Sequence, residues 1–320
     1  MTTWLRRNAK EAIAALALVV LFACYIAIHP RGFSTYVVTI WSNQGALLGL
    51  AAIAQFFVVL VKGIDLSVGS IIALTNVVAS FLLNGSPASI ALGTVVVLVV
   101  GVACGLLNGV VVVYGRVQPI VTTLATGGVF GGIALLLRPT PGGSVDETVS
   151  DALTYAVGGI PVSAIILVVV LLALQVFLRW TAVGPALYGV GSSEQSAYMT
   201  GLRVNRLKLI AYGSSGFVAA LAGIYVSMVT LTGDPNIAPS YTLNSIAAVV
   251  LGGVALSGGV GSPVGAVIGA LILKTISSLT FFSGLPPLAQ PFFEGLILAI
   301  AIALGALGVF RVRSRLELYR

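Results

Sequence analysis

Apolar residues run along this chain in long unbroken blocks, with polar residues gathered in the short gaps between them. Ten blocks stand out, at Ala12–Ile28, Gly45–Val61, Leu66–Leu83, Ala88–Val113, Ile120–Leu137, Ile160–Leu178, Leu209–Leu231, Leu243–Leu256, Val264–Phe282 and Phe292–Phe310. A helix that crosses the hydrocarbon of a bilayer needs about 20 largely apolar residues. The pattern therefore predicts an all-α integral membrane protein with about ten transmembrane helices. The eighth block is short for a crossing, and the two that flank Asp65 read either as clean spans or as a broken, re-entrant pair.

Asp65 is the first residue that needs an explanation. It lies in Lys62-Gly-Ile-Asp-Leu-Ser-Val-Gly-Ser70, which sets a carboxylate, two hydroxyls and two glycines between apolar stretches. A carboxylate at membrane depth is costly unless water or a partner meets it, so a polar, flexible turn there predicts a solvated path or a helix cap. In the capping reading Asp65 accepts backbone N–H bonds at the positive end of the next helix.

Composition sharpens this picture. Apolar residues make up 58% of 320, charged residues 8%, and mean hydropathy is +1.10, values that exclude a soluble domain. The net charge of +7 follows the arrangement in which short basic loops stay on the cytoplasmic side. With both termini inside, Arg6, Arg7, Lys10, Lys62, Arg116, Arg179, Arg203, Arg206, Lys208, Arg311, Arg313, Arg315 and Arg320 fall in or beside cytoplasmic segments. Arg31 and Arg138 fall outside, and Lys274 falls within a span, where Glu294 is either its partner or an unrelated border residue. No nucleic-acid partner is needed to account for the charge. Arg6-Arg7 before an apolar run reads as a retained first helix, since no small-residue cleavage site follows. Cys24 and Cys104 stand alone within apolar segments, as small core residues. His29 is the one histidine and Lys274-Thr275 lacks the glycines of a phosphate-binding loop, so neither a hydrolase site nor nucleotide binding is expected in this chain.

Thirty-eight glycines are spread through the spans, where small residues allow helices to approach closely. Gly258-Gly-Val-Gly-Ser-Pro263 is a different case, since glycine and proline together break a helix. It also echoes the Asp65 turn: a shift of 196 residues aligns Ala51–Ile72 with Ala247–Ile268 at eight identities in 22, including Gly63 with Gly259. Interrupted apolar segments at matching positions of an internal repeat point to a transport path. The longest polar stretch between spans, about 180–208, is predicted to be cytoplasmic. Within it Ser193–Gly201 has a helical look and ends at a glycine suited to a helix C-terminus. It reads either as a solvated connector or as a short docking helix for a cytoplasmic motor.

Four ordered motifs then carry a resemblance. Gly63–Ser70, Gly-Leu-Leu-Asn-Gly at Gly105–Gly109, Gln118–Thr126, and Ile246–Ser262 together resemble the ribose, xylose and galactose-type ABC sugar importer permeases, across roughly Trp41 to Phe310. The resemblance implies a single transmembrane permease domain over residues 1–320 in a bacterial inner membrane, surrounded by lipid. Its implied partners are a cytoplasmic ATPase that uses ATP and Mg, a periplasmic sugar-binding protein, and a second permease, identical or related, and loop 138–159 is expected on the periplasmic side. No cofactor is expected in this chain and no chemistry is expected from it. In the family's coupling segment an alanine four residues before a glycine sits in a cleft of the ATPase. Ala197 and Gly201 match that spacing, beside Glu194, Gln195 and Arg203. Two departures stand out: Lys62 replaces a second glycine, and Tyr241-Thr-Leu-Asn244 lacks an acidic pair.

The expected activity is alternating access. Weak, replaceable hydrogen bonds suit a passing sugar, and Gln44, Gln55, Asp65, Ser67, Asn108, Gln118, Thr122, Thr123, Thr126 and Asn244 are the polar candidates. Each serves equally well as a bond between helices. Nucleoside or branched-chain amino acid permeases of the same class, and an ion-coupled secondary transporter, are the alternatives.

Overall fold

The computed structural model describes residues 9–284 continuously and a few positions between 286 and 299. Among the described residues twelve α-helices and one hairpin follow in order: α1 (Ala9–Ile28), α2 (Thr35–Leu60), α3 (Val68–Leu82), α4 (Pro87–Val113), α5 (Pro119–Leu137), α6 (Glu147–Thr154), β1 (Ala156–Val157), β2 (Ile160–Pro161), α7 (Val162–Trp180), α8 (Val183–Ser192), α9 (Glu194–Met199), α10 (Val204–Thr230), α11 (Ala238–Leu251) and α12 (Pro263–Phe282). Among the described residues, α1 (from Glu11), α2, α4, α5, α7, α10 and α12 are long and apolar enough to cross a membrane, seven in all. The expectation of about ten is thus met only in part. At 15 residues α3 is shorter, α11 ends at Leu251 after 14, and most of Phe292–Phe310 lies outside the described residues, as do Glu294, Arg6, Arg7 and the C-terminal arginines.

α2 is the centre of the molecule. Every residue from Gly45 to Val61 is buried, as a helix apolar around its whole circumference requires, and α10, α12, α11 and α7 surround it. It starts ten residues before the apolar block does. Ser34 caps it by accepting from Val37 N–H (3.4 Å), and Trp41, Asn43 and Gln44 then extend it through polar positions. Hydropathy measures compatibility with lipid and is blind to a polar helical turn. α10 likewise begins at Val204, before the expected Leu209.

The most extensive contact joins α10 to α4. Glycines four apart make it possible: a Cβ on Gly105 would sit 2.2 Å from the Tyr212 carbonyl oxygen, and one on Gly216 would sit 2.1 Å from that of Gly101.

The predicted loop at 138–159 is ordered by its own elements. Asp146 caps α6 through Thr148 N–H (3.0 Å), Asp146 N–H donates to Leu83 O (2.9 Å), Ser150 donates to Met228 O, and Gly158-Gly159 turns the β1–β2 hairpin. The two arginines that depart from the basic-inside arrangement each lie over an aromatic ring, Arg31 on Tyr36 (4.4 Å) and Arg138 on Phe81 (4.2 Å), where the ring face attracts the cation.

Candidate functional site

Two turns meet at one end of α2. After Leu60 the chain reverses through Lys62, which takes a left-handed conformation (φ +64°) that side chains resist, while Lys62 and Gly63 N–H close onto the carbonyls of Val59 (3.0 Å) and Val58 (2.9 Å). The Lys62 ammonium donates to Ser192 O at the end of α8 (3.2 Å). The glycine-rich turn between α11 and α12 abuts the same point, with Gly259 N–H donating to Leu60 O (3.0 Å).

Asp65 is fully buried. Its Oδ1 accepts from Ser67 N–H (2.8 Å) and from the Ser67 hydroxyl (2.6 Å), and its Oδ2 accepts a long bond from the Ser215 hydroxyl on α10 (3.5 Å). The bonds to Ser67 form a local turn two residues long at the entry to α3. The Gln55 side chain on α2 clamps the Asp65 main chain, its amide nitrogen donating to Asp65 O (2.9 Å) and its oxygen accepting from Asp65 N–H (3.1 Å). From α5, the Thr123 hydroxyl accepts from Leu66 N–H (2.9 Å). The chain of bonds then runs outward: Asn108 Nδ2 on α4 donates to Ser67 Oγ (2.7 Å), and the Thr126 hydroxyl donates to Asn108 Oδ1 (2.6 Å).

Six of the ten polar candidates, Gln55, Asp65, Ser67, Asn108, Thr123 and Thr126, are therefore brought into one network that ties α2, α3, α4, α5 and α10 together. All but Thr126 are completely buried. Satisfied polar groups sealed from water hold a conformation firmly. Thr122 is buried beside them, its hydroxyl without a partner among the described residues. Gln118 is exposed at the start of α5, and Asn244 is half-buried on α11. Gln44 lies elsewhere, in a cavity of about 390 Å³ with Tyr36, Trp41, Lys274 and Ser277 near the start of α2.

Two site members escaped the sequence reading. Ser215 reaches Asp65 across 150 residues, a pairing no local spacing encodes. Asn76 in α3 donates to Thr232 O (3.1 Å) and accepts from Asp234 N–H (2.6 Å), pinning the link between α10 and α11. An amide inside an apolar block was the available signal.

The helical reading of Ser193–Gly201 corresponds to α9. Ser193 caps it by accepting from Ser196 N–H (3.2 Å), and Gly201 (φ +83°) ends it, with Leu202 N–H donating to Ala197 O (3.1 Å). Glu194 pairs with Lys208 on α10 (2.7 Å). Ala197 faces inward at 4% exposure, whereas Tyr198 and Met199 stand out at 76% and 77%, beside exposed Gln195, Gly201 and Arg203.

Comparison with known proteins gives a consistent result. The sequence model of a family described as "Branched-chain amino acid transport system / permease component" matches residues 37–303. The ribose import permease protein RbsC of Bacillus subtilis is 35% identical over 267 residues, 82% of each chain, and that of Haemophilus influenzae is 33% identical over 297 residues, 91% of this chain and 92% of the relative. The autoinducer 2 import system permease protein LsrC of Yersinia enterocolitica is 34% identical over 300 residues, 91% and 81%. No solved structure matches.

Proposed function

Because this chain belongs to the family of permease components just described, we propose that it is the membrane-spanning subunit of an ABC importer that moves a monosaccharide into the cytoplasm. The observation that carries this reading is likeness to ribose import permeases over 82–91% of the chain. In this reading the chain is one multi-pass domain of a bacterial inner membrane with both termini cytoplasmic. The ten-segment arrangement and the duplication of its two turns belong to it as well. A periplasmic sugar-binding protein delivers the solute, a second permease copy or relative completes the pathway, and a separate cytoplasmic ATPase uses ATP and Mg.

The exposed face of α9, with Gln195, Tyr198 and Met199, together with Arg203 at the entry to α10, receives the ATPase, while Ala197 fixes α9 to the body of the permease. Motion passes through the Glu194–Lys208 pair into α10. Ser215 stands seven residues further on, about 10 Å along the helix at 1.5 Å per residue, so displacement of α10 strains the long Ser215–Asp65 contact first. Loosening there frees Asn108, Ser67 and Thr126 toward the path, with Gln118, Thr122 and Asn244 as further polar contacts and Gln44 on the approach from the other end. Co-purification of the tagged chain from membranes, with a thermal-shift screen of the recovered binding protein against pentoses and hexoses, tests the reading. Recovery of an ATPase and a sugar-stabilised binding protein supports it, and ATP-independent transport by the isolated chain in liposomes overturns it.

The family's description favours one second reading, a branched-chain amino acid as cargo. Stabilisation of the same binding protein by leucine or isoleucine, and by no sugar, would select it.

A further inference from the structure

The β1–β2 hairpin between α6 and α7 has two unlike faces. Its register sets Val157 opposite Ile160 and Ala156 opposite Pro161, so the two pairs point to opposite sides. Val162 N–H donates to Tyr155 O (2.9 Å) and extends the ladder by one rung. Pro161 is buried and Ala156 half-buried where β2 packs on α2. On the other side Tyr155, Val157 and Ile160 are each more than half exposed. One face of the hairpin is thus apolar and uncovered by the described residues.

Three features identify what lies against it. The first is continuity. Ile160 and Val162 lie two apart in extended chain and share a side, and α7 carries that side on through Ile165, Val169, Leu172 and Val176 at intervals of three or four. These four are exposed, while Leu167 and Leu178 are buried. Because α7 is apolar and long enough to cross a membrane, its exposed stripe is the one that meets lipid. The second is charge. From Tyr155 to Leu178 no residue is charged, whereas a surface that docks a protein and releases it carries a polar rim. The third is level. The 19 residues of α7 rise about 28 Å, close to the thickness of the hydrocarbon at about 30 Å, so the hairpin sits at its boundary. Exposed Trp180 and Tyr155 then mark the two levels at which amphipathic rings gather. Glu147 and Asp151, four apart on α6 and exposed, mark the side that stays in water.

We infer that the hairpin is a membrane-interface anchor whose partner is lipid: Val157 and Ile160 enter the boundary between headgroups and acyl chains, and the Tyr155 hydroxyl stays among the headgroups. Ser150 ties α6 to Met228 O on α10, so the anchor holds α6 between the helical body and the bilayer surface. It is independent of the transported solute.

Nitroxide labels at Val157→Cys and Ile160→Cys test it, each in the full chain with exposed Cys24 replaced by serine and reconstituted in nanodiscs of phosphatidylglycerol and phosphatidylcholine. Relaxation by dissolved oxygen against relaxation by a water-soluble nickel chelate gives the depth of each label. Both are expected about 5–10 Å below the phosphates, favouring oxygen as Val169→Cys on the α7 stripe does, with Asp151→Cys favouring the chelate. Val157→Trp supplies a second reading, since lipids brominated near the headgroup should quench its added fluorescence. Chelate access at 157 and 160 equal to that at 151 overturns the inference, as does a Val157→Trp signal that brominated lipid leaves unchanged. So does shielding from the chelate that arises only when the binding protein is added, which would make the face a protein-docking surface.

Discussion

The two turns that meet beside Leu60 share a sequence pattern and are built from opposite materials. In the first, side chains do the bonding: Asp65, Ser67, Gln55, Asn108 and Thr123 satisfy the backbone and one another in a sealed interior. In the second, the backbone bonds to itself, with Gly253 N–H donating to Val250 O, Val254 to Val249, Ala255 to Val260 and Gly258 to Ala255, all at 3.0–3.1 Å. At the position matching Asp65 stands Gly261 (φ +130°), whose carbonyl accepts from the Tyr188 hydroxyl (2.8 Å). Matching positions in the two alignments thus do different work. The first turn is a polar latch held by side chains of α2, α4, α5 and α10, and the second is a pivot held mainly by its own backbone.

The sharpest way to break the contrast is D65A. It strips the acceptor from two donors of a buried residue and is expected to cost about 3 kcal/mol in unfolding measured in mixed micelles, with loss of solute uptake. Asp65→Asn keeps an acceptor and should cost less than half of that. A latch-free reading of the turn follows if D65A unfolds like the wild type. Next in size is Asn108→Ala, expected to destabilise by about 2 kcal/mol because Ser67 and Thr126 both lose a partner, and to alter the kinetics of uptake in protein that remains folded. Unchanged kinetics would remove Asn108 from the path and leave it a purely structural bridge. On the pivot side, Ser262→Ala removes only the cap that accepts from Gly265 N–H (3.0 Å) and should cost about 1 kcal/mol with uptake retained. An uptake defect as large as that of Asn108→Ala would erase the distinction between the turns. The smallest effect is at Lys62: the Gly variant should exceed the Ala variant in stability by under about 1 kcal/mol, since both lose the bond to Ser192 and only one is free of left-handed strain.

Much of this was legible in the sequence because it is local. The break between Leu60 and Val68 follows from polar residues between apolar blocks, and α9 from a serine and a glycine that punctuate a short helix. What stayed hidden depends on distant partners or on facing. Ser215 and Asn76 draw their roles from residues about 150 positions away, the polar first half of α2 is helical because it packs, and six residues of α9 carry too little periodicity to reveal that Ala197 turns inward while Tyr198 and Met199 turn out. Seven of the apolar blocks are spans by length and composition among the described residues, and the short α3 and α11 show why an apolar block alone does not give the length of a helix, since it records solubility in lipid.

The meeting of three segments at the Leu60 carbonyl has a consequence for how this sequence can drift. A Cβ on Gly191 would lie 1.9 Å from that oxygen and 2.5 Å from Gly259 N, so position 191 excludes nineteen of the twenty residues on space alone. Any side chain at this point must push apart the end of α2, the end of α8 and the glycine-rich turn together, so the site behaves as a one-letter lock.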